Sequence, residues 1–222
     1  MRAMILAAGR GERLRPITDT IPKPMVKVGE HELIVWHILK LKSAGIVDIV
    51  VNSAHLSKKL VSFLGDGSSF GVNITHSVEG PGGLETAGGI IKALAHFKNE
   101  PFFVINGDIF LDIDYKKLIS DIHLNDNLAY LYLCKNPSHN LKGDFSLDNG
   151  HVVYGHDYTF TGAGIYSPQA FLGFKEERLK LRSFFDRWIL QNKVLGAVLD
   201  APWFDVGTIS RLNTLNEYLK DR

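Results

Sequence analysis

Residues 5–29, ILAAGRGERLRPITDTIPKPMVKVG, join an apolar run to a loop that is rich in glycine and cations. The run at residues 2–8 is too apolar to alternate between two faces, which predicts a strand that is buried on both sides. Gly9 and Gly11 follow this strand at once, and glycine allows backbone N–H groups to approach an anion closely. The segment therefore predicts a strand that ends in an anion-binding loop.

Fixed cations follow these glycines along the chain. Arg13 offers a planar guanidinium that can bind two phosphate oxygens at once, and Lys23 offers a point charge. Pro22 and Pro24 restrict the backbone on either side of Lys23, which favours a fixed ammonium over a mobile one. The loop thus suits a polyphosphate, although a tight turn that carries solvated arginines fits the same residues.

Two familiar nucleotide-binding motifs are absent from this loop. A Walker loop needs the pattern G-x-x-x-x-G-K-[ST], which Gly9 and Gly11 do not provide. A dinucleotide fingerprint needs a third glycine three residues after Gly11, and that position holds Leu14. A nicotinamide-dependent dehydrogenase is therefore disfavoured.

The composition is typical of a cytoplasmic protein. The 222 residues suit one large domain, and the net charge of +1 disfavours a broad nucleic-acid or membrane-binding surface. Cys134 is the only cysteine, which excludes an intrachain disulfide and fits a reducing compartment. No apolar run approaches the roughly 20 residues of a membrane span, and the first residues lack a secretory pattern. We expect a cytoplasmic protein, monomeric or a small homo-oligomer, that binds neither nucleic acid nor membrane.

Strands and helices alternate through the first 135 residues. This order predicts an α/β fold with a mostly parallel, doubly wound sheet of the Rossmann-like kind. The predicted strands are 2–8, 46–51, 72–77, 102–105 and 128–133, and the predicted helices are 31–44, 57–64, 84–97 and 115–125.

The pattern changes after Asn136. Short strands at 144–147 and 152–154 flank Asn149-Gly150, a pair that is typical of hairpin turns. We expect a small β-rich insertion that covers one edge of the same sheet, so that residues 1–222 form a single domain. The remaining predictions are strands at 160–166 and 195–200 and helices at 182–191 and 208–219.

Two aspartates are candidate metal ligands. Asp108 follows the most apolar strand, so its carboxylate is expected at the carboxyl edge of the sheet, where open α/β sheets bind ligands. Asp205 follows a second apolar run. Mg²⁺ in polyphosphate sites is usually held by one or two carboxylates, but each aspartate also suits the cap of a turn or helix. The histidines lack metal-ligand spacing and are interpreted as surface or packing residues.

The string L-A-A-G-x-G-x-R-L-x-P-x-T, with P-K-P-M after it, is similar to the signature of the sugar-1-phosphate nucleotidylyltransferases. The resemblance continues through residues 64–68, 84–89, 106–108 and 204–208, and so covers the whole chain. It implies the fold of nucleotide-diphospho-sugar transferases. The short length most resembles the N-acetylmuramate α-1-phosphate uridylyltransferases of cell-wall recycling.

The resemblance also implies a role for each half of the chain and for individual residues. Residues 1–135 would bind the nucleotide and residues 136–222 would bind the sugar phosphate and close the site. Mg²⁺ is assigned to Asp108 and Asp205, and catalysis to Arg13, Lys23 and Asp108. The implied nucleotide contacts are Leu6, Ala8, Gly9, Gly11, Glu12, Arg13, Lys23, Glu79 and Gly83, and the implied acceptor contacts are Asn106, Gly143 and Thr161.

The acceptor side departs from the family pattern. Relatives usually carry a Glu-Lys pair after the hairpin and an asparagine before the next strand. Residues 155–162, GHDYTFTG, lack the pair and place Thr161 where the asparagine is expected. The identity of the sugar therefore stays open.

The implied reaction joins a sugar 1-phosphate to UTP and releases pyrophosphate. The attacking phosphate oxygen is already an anion, so no general base is required, and positioning and charge neutralisation would supply the catalysis. A hexose-1-phosphate guanylyl- or thymidylyltransferase and a phosphocholine cytidylyltransferase remain alternatives, because nothing in the residues excludes another base. A non-catalytic nucleotide-sugar sensor is a further alternative, but it would be expected to lose Arg13, Lys23 or a metal aspartate.

Overall fold

The computed structural model describes residues 1–120 and 122–220. The strands are β1 (Arg2–Leu6), β2 (Lys27–Val28), β3 (His31–Glu32), β4 (Asp48–Ser53), β5 (Asn73–Val78), β6 (Phe102–Asn106), β7 (Ile109–Leu111), β8 (Ala129–Lys135), β9 (Phe145–Asp148), β10 (His151–Tyr166), β11 (Val194–Val198) and β12 (Trp203–Asp205). The α-helices are α1 (Ile17–Thr20), α2 (Leu33–Ser43), α3 (Ser57–Leu64), α4 (Glu85–Ala93), α5 (Lys116–Ile119), α6 (Leu181–Leu190) and α7 (Ile209–Lys220).

Eight strands form a central sheet in the order β11-β8-β10-β6-β1-β4-β5, with β9 paired to β10. The strands β6, β1, β4 and β5 run parallel to one another. In this register Leu6 lies opposite Asn52 of β4 on one side and Asn106 of β6 on the other. The carboxyl ends of three parallel strands therefore lie side by side.

Strand β10 joins these parallel strands to the rest of the sheet. It pairs antiparallel with β6 over residues 163–166 and with β8 on its other side. Asn149 and Gly150 both have positive φ angles, 47° and 83°, as a type I′ turn requires, so the predicted hairpin is confirmed. The strands predicted at 152–154 and 160–166 are one strand, because register shifts let the chain bend without leaving the sheet.

Helices cover both faces of the sheet, which confirms the doubly wound prediction. Side chains of β1 alternate between the faces: Ala3 and Ile5 pack with α2 and α3, and Met4 packs with α4 and α6. A third cluster places α7 against the loop that follows β1 and contains Leu14 and Leu212. Leu14 is therefore a buried core residue at the position where a dinucleotide fingerprint would carry glycine.

The predicted helix at 115–125 is wrong in extent. Helix α5 covers only Lys116–Ile119, because Ser120 is extended and Asn125 has a left-handed φ of 49°. Ile119 and Ile122 still pack on the core, so burial alone accounts for the apolar spacing that suggested a longer helix. The predicted helix at 84–97 begins at Glu85 and tightens into a 3₁₀ turn at Leu94–Phe97.

Two short pairings were not expected. Strand β12 pairs antiparallel with β7, and β2 pairs with β3. The first pairing places Asp205 opposite Ile109, next to the end of β6. Among the described residues, no helix is both long and apolar enough to cross a bilayer.

Candidate functional site

Three cavities open at the carboxyl edge of the parallel strands, and Asn106 lines all of them. The loop cavity, of about 320 Å³, lies between residues 6–10 and 82–86 and is also lined by Lys23 and Asp108. The hairpin cavity, of about 330 Å³, lies between β10 and the start of α6. The aspartate cavity, of about 300 Å³, contains Asp108 and Asp205. The three cavities share lining residues, so bound groups could meet at Asn106.

The loop after β1 is built around Gly11. Its φ of 66° and its closeness to Thr18, whose Cγ2 would lie 2.9 Å from an added Cβ, both require glycine. Its carbonyl accepts hydrogen bonds from Leu14 N at 2.8 Å and Thr18 Oγ1 at 2.7 Å. Gly9, in contrast, has no neighbour within 4 Å of an added Cβ and lines the loop cavity. Gly11 thus shapes the loop, and Gly9 leaves open space for a ligand.

The other residues predicted on this loop lie in different places. Leu6 and Ala8 line the loop cavity. Glu12 is exposed and lies 3.9 Å from Arg10, outside the lining of the cavities. Arg13 lines the aspartate cavity, so the loop supplies groups to two cavities.

Lys23 and Asp108 form an ion pair between the loop and aspartate cavities. The lysine side chain is only 8% exposed, while the aspartate side chain is 36% exposed. Lys23 is therefore fixed, as its flanking prolines predict, and one side of the Asp108 carboxyl group faces solvent. The Asp108 carbonyl accepts a hydrogen bond from Val206 N at 2.9 Å, which ties the end of β6 to the end of β12.

Asp205 lies beside an arginine and a histidine. Arg211 Nη1 of α7 contacts it at 2.7 Å, and His139 Nε2 lies 3.6 Å away. Burial and the neighbouring Arg211 lower the pKa of His139, against the opposing effect of Asp205. An added Cβ at Gly207 would lie 2.5 Å from Arg211 Nη2 and 3.1 Å from Arg13 Nη2, so both guanidinium groups converge here. The aspartate cavity therefore combines two carboxylates with fixed positive charge, as a site for phosphates and a cation requires.

His139 and Arg211 were not identified from the sequence. His139 stacks on Trp203 with ring centroids 6.0 Å apart, which fits the packing role expected of the histidines, and it also lines the aspartate cavity. No spacing in the chain could have revealed either residue, because His139 reaches Asp205 from a loop and Arg211 from a helix.

Glu79 and Gly83 occupy different environments. Gly83 has a φ of 69° and lines the loop cavity. Glu79 is 5% exposed and lies beneath the same loop, where its carboxylate accepts hydrogen bonds from Asn52 Nδ2 and Leu84 N, each at 2.7 Å. Its side chain holds the loop and does not line the cavity.

The predicted acceptor residues also differ in position. Asn106 faces the common point of the three cavities, and Gly162, with a φ of 86°, leaves room for its amide. Gly143 packs on backbone, since an added Cβ would lie 2.5 Å from His156 O. Thr161 lines the aspartate cavity but donates its hydroxyl to Tyr132 O at 2.7 Å. Asp144, the residue after Gly143, lines the hairpin cavity, whereas Gly143 itself is not among its lining residues.

Residues 174–180 supply cations that sequence reasoning missed. The Leu179 carbonyl accepts hydrogen bonds from Ala87 N and Gly88 N at 3.0 and 3.2 Å, which attaches this segment to the start of α4. Arg178 lines the loop cavity and Lys180 the hairpin cavity. The run KEERLK resembles an ordinary solvated loop in sequence, so nothing local marks it as part of a site.

Known proteins of one family are similar to this chain in sequence. The model of the nucleotidyl transferase family matches residues 2–142. The chain is 47% identical over 220 residues to N-acetylmuramate alpha-1-phosphate uridylyltransferase of Neisseria meningitidis, covering 96% of this chain and 95% of that protein. It is 33% identical over 167 residues to UTP–glucose-1-phosphate uridylyltransferase of Synechocystis, covering 69% of this chain and 43% of that longer protein.

A solved structure has the same fold. It belongs to a Bacillus anthracis protein assigned as a glucose-1-phosphate thymidylyltransferase, in complex with a sucrose. Its TM-score is 0.89 at 24% identity, and the match covers 100% of this chain and 96% of the other. The family model over residues 2–142 and the relative that matches over nearly its full length lead to one conclusion: the chain belongs to the nucleotidyl transferase family and is a nucleotidyltransferase.

Proposed function

We propose that this enzyme transfers the uridylyl group of UTP to the 1-phosphate of N-acetylmuramate, giving a UDP-sugar and pyrophosphate. The observation that carries the proposal is the meeting of three cavities at Asn106, which are lined by an open loop, the cations Lys23 and Arg13, and two carboxylates. The choice of UTP and of this sugar rests on the relative from Neisseria meningitidis, which matches over nearly its full length.

The loop cavity suits the base and ribose, and the aspartate cavity suits the phosphates. Gly9 and Gly83 leave backbone groups open on opposite walls of the loop cavity. Lys23 lines the loop cavity and Arg13 lines the aspartate cavity, and the two cavities share Asn106 and Asp108. These cations would neutralise the triphosphate, and Arg13 would hold the departing pyrophosphate.

The carboxyl groups of Asp108 and Asp205 fit Mg²⁺. Hard oxygen donors of this kind hold Mg²⁺ together with substrate phosphates, and both line one cavity. Within residues 1–120 and 122–220, no cluster of three or more His, Cys, Asp or Glu side chains could hold a metal alone, so phosphate oxygens would complete the coordination. When bound, the cation would neutralise charge on the reacting phosphates.

The hairpin cavity suits an acidic sugar. Phe145, Phe160 and Phe185 give it an apolar wall, and Lys180 and Arg182 lie at its rim. Within the described residues, the ammonium of Lys180 has no ion pair or hydrogen bond, while Asp144 already accepts a hydrogen bond from Phe160 N at 2.9 Å. Lys180 is therefore free to bind the lactyl carboxylate of N-acetylmuramate, and it supplies a cation that the hairpin lacks.

The chemistry needs no proton-transfer group. An oxygen of the sugar 1-phosphate attacks the α-phosphorus of UTP, and the bond between that phosphorus and the oxygen of the β-phosphate breaks. The electron pair leaves with pyrophosphate. Asn106 would orient the attacking phosphate, and Lys23 and Arg13 would stabilise the charge that develops on the phosphates. We place this reaction in the cytoplasm, where UTP is made, and in the recycling of cell-wall sugars.

The proposal is tested by crossing four nucleoside triphosphates with a panel of sugar 1-phosphates and phosphocholine, in the presence of Mg²⁺. We expect the highest kcat/KM for UTP with N-acetylmuramate 1-phosphate. Preference for GTP, dTTP or CTP would replace the assignment with the corresponding alternative transferase. Absence of pyrophosphate release with every pair would support a sensor and overturn the proposal.

A further inference from the structure

A buried chain of hydrogen bonds connects the two loops that enclose the loop cavity. Ala7 N donates to Asn52 Oδ1 at 2.8 Å, and Asn52 Nδ2 donates to Glu79 Oε1 at 2.7 Å. The other carboxylate oxygen, Oε2, accepts a hydrogen bond from Leu84 N at 2.7 Å. The chain therefore runs from the first loop to the second through two side chains.

The direction of each hydrogen bond in this chain is determined by backbone groups. Ala7 N–H can only donate, so Asn52 must turn its oxygen toward Ala7 and its NH₂ group toward Glu79. Leu84 N–H is also a donor, so two donors converge on residue 79. Only a side chain with two acceptor oxygens satisfies both, and an ionised carboxylate is such a group.

The surrounding packing leaves this chain no alternative arrangement. Asn52 is 2% exposed and Glu79 is 5% exposed. An added Cβ at Gly89 would lie 2.6 Å from Glu79 Oε1 and 2.7 Å from Asn52 Nδ2, so α4 presses directly on the contact. At Gly83 the added Cβ would lie 3.4 Å from Oε2. A mismatched donor in this space would stay unsatisfied, which is costly for a buried polar group.

We infer that Glu79 is a positioning residue that fixes the spacing of residues 7–9 and 82–84, and that it must be a carboxylate to do so. This inference rests on the proposed binding of the nucleotide in the loop cavity. Since both carboxylate oxygens are engaged inside the protein, backbone groups such as those of Gly83 would contact the base. Glu79 acts on the nucleotide only through the shape of the cavity.

The test exchanges the acidic and amide groups of the pair. Glu79→Gln presents one acceptor to two donors, and Asn52→Asp places two carboxylates against each other. The double variant N52D/E79Q restores every bond: Ala7 N–H donates to Asp, the new Gln donates to the same Asp, and Leu84 N–H donates to the Gln oxygen. Glu30→Gln, at an exposed position, is the matched control.

We expect each single variant to raise the KM for UTP at least about tenfold, with kcat and the acceptor KM changed by less than about threefold. The double variant is expected to return the KM and the melting temperature of the free protein close to wild type. Unchanged KM in Glu79→Gln would overturn the inference. A double variant that recovers its melting temperature but not its KM would also overturn it, because the pair, of which Asn52 lines the loop cavity, would then act on the nucleotide by direct contact and not through the shape of the cavity. If the wild-type enzyme makes no UDP-sugar, the proposed function fails by itself, while the melting temperatures still test the hydrogen-bond chain.

Discussion

The ammonium of Lys180 is expected to select for an acidic acceptor. We predict that Lys180→Met lowers kcat/KM for N-acetylmuramate 1-phosphate about tenfold, the effect of losing one charge-assisted contact at an exposed site. N-acetylglucosamine 1-phosphate lacks the lactyl carboxylate, so its kcat/KM should change by less than about twofold. Steady-state pyrophosphate release measures both values, and Lys175→Met, on the same segment but outside the cavity lining, is the control. Equal losses for the two sugars would refute the role of Lys180.

His37 makes the stability of the fold depend on pH. Burial, and to a smaller extent Lys40, lower the pKa of His37 from 6.5 to about 4. Below pH 6.5 the unfolded chain therefore gains a proton that the folded protein does not, and stability falls until pH 4. We predict that this residue accounts for a loss of about 2 kcal/mol in the free energy of unfolding between pH 7 and pH 5.

Urea unfolding of His37→Gln measures this contribution. Glutamine can keep a hydrogen bond to the Tyr115 hydroxyl, which lies 2.7 Å from His37 Nδ1, but does not titrate. The variant should therefore lose less stability than wild type between the two pH values, whereas His123→Gln, at an exposed position, should behave as wild type. An unchanged pH dependence in His37→Gln would contradict the assignment.

At the scale of elements, the contact between α4 and residues 174–180 shapes two cavities at once. An added Cβ at Gly88 would lie 2.1 Å from Glu177 O, so Gly88→Ala must push this segment away. We predict a melting temperature lower by roughly 3–10 °C, since overpacking costs about 1–3 kcal/mol, and a higher KM for both substrates. Thermal melting and steady-state kinetics measure these effects. Gly80→Ala, where an added Cβ meets nothing within 4 Å, is the control, and a Gly88→Ala variant that matches it would refute the contact's importance.

Local signals predicted the elements whose cause is local. Asn149-Gly150 predicted its turn because two adjacent positive φ angles favour these residues, and the run at 2–8 predicted β1 because both faces of that strand are buried. The helix predicted at 115–125 was too long because Ile122, although partly buried against the core, lies where the chain has already left the helix. Burial produces the same apolar spacing in a helix and in an irregular segment, so the periodicity of apolar residues could not distinguish the two.

Long-range contacts account for the parts of the site that were missed. Asp108 and Asp205 were candidates because each follows an apolar run, and the family resemblance strengthened them, but the pairing of β7 with β12 next to them has no local signature. Arg178, Lys180 and Arg211 lie in charged segments that are indistinguishable in sequence from solvated surface. Their positions depend on backbone contacts made elsewhere, such as that of Leu179 with α4.

At the scale of the whole molecule, both halves of the chain share one sheet. Strand β10 pairs with β6 of the first half, and β8 of the first half pairs with β10 and β11 of the second. We propose that residues 1–222 form a single domain, and we predict one cooperative transition in thermal melting, with coincident curves from circular dichroism and tryptophan fluorescence. Two resolved transitions would contradict the proposal.

The central claim is that the carboxylates and cations around Asn106 carry out uridylyl transfer to a sugar 1-phosphate. Its most direct test is the rate of UDP-sugar formation from UTP, N-acetylmuramate 1-phosphate and Mg²⁺ by the wild-type enzyme and by Asp108→Asn, with Asp114→Asn, at an exposed position, as the control. We predict equimolar UDP-sugar and pyrophosphate from the wild-type and control enzymes. We also predict that Asp108→Asn forms UDP-sugar at a rate lower by about a hundredfold or more. This variant should keep a cooperative melting transition. A rate for Asp108→Asn close to that of wild type, or no UDP-sugar from the wild-type enzyme, would contradict the account.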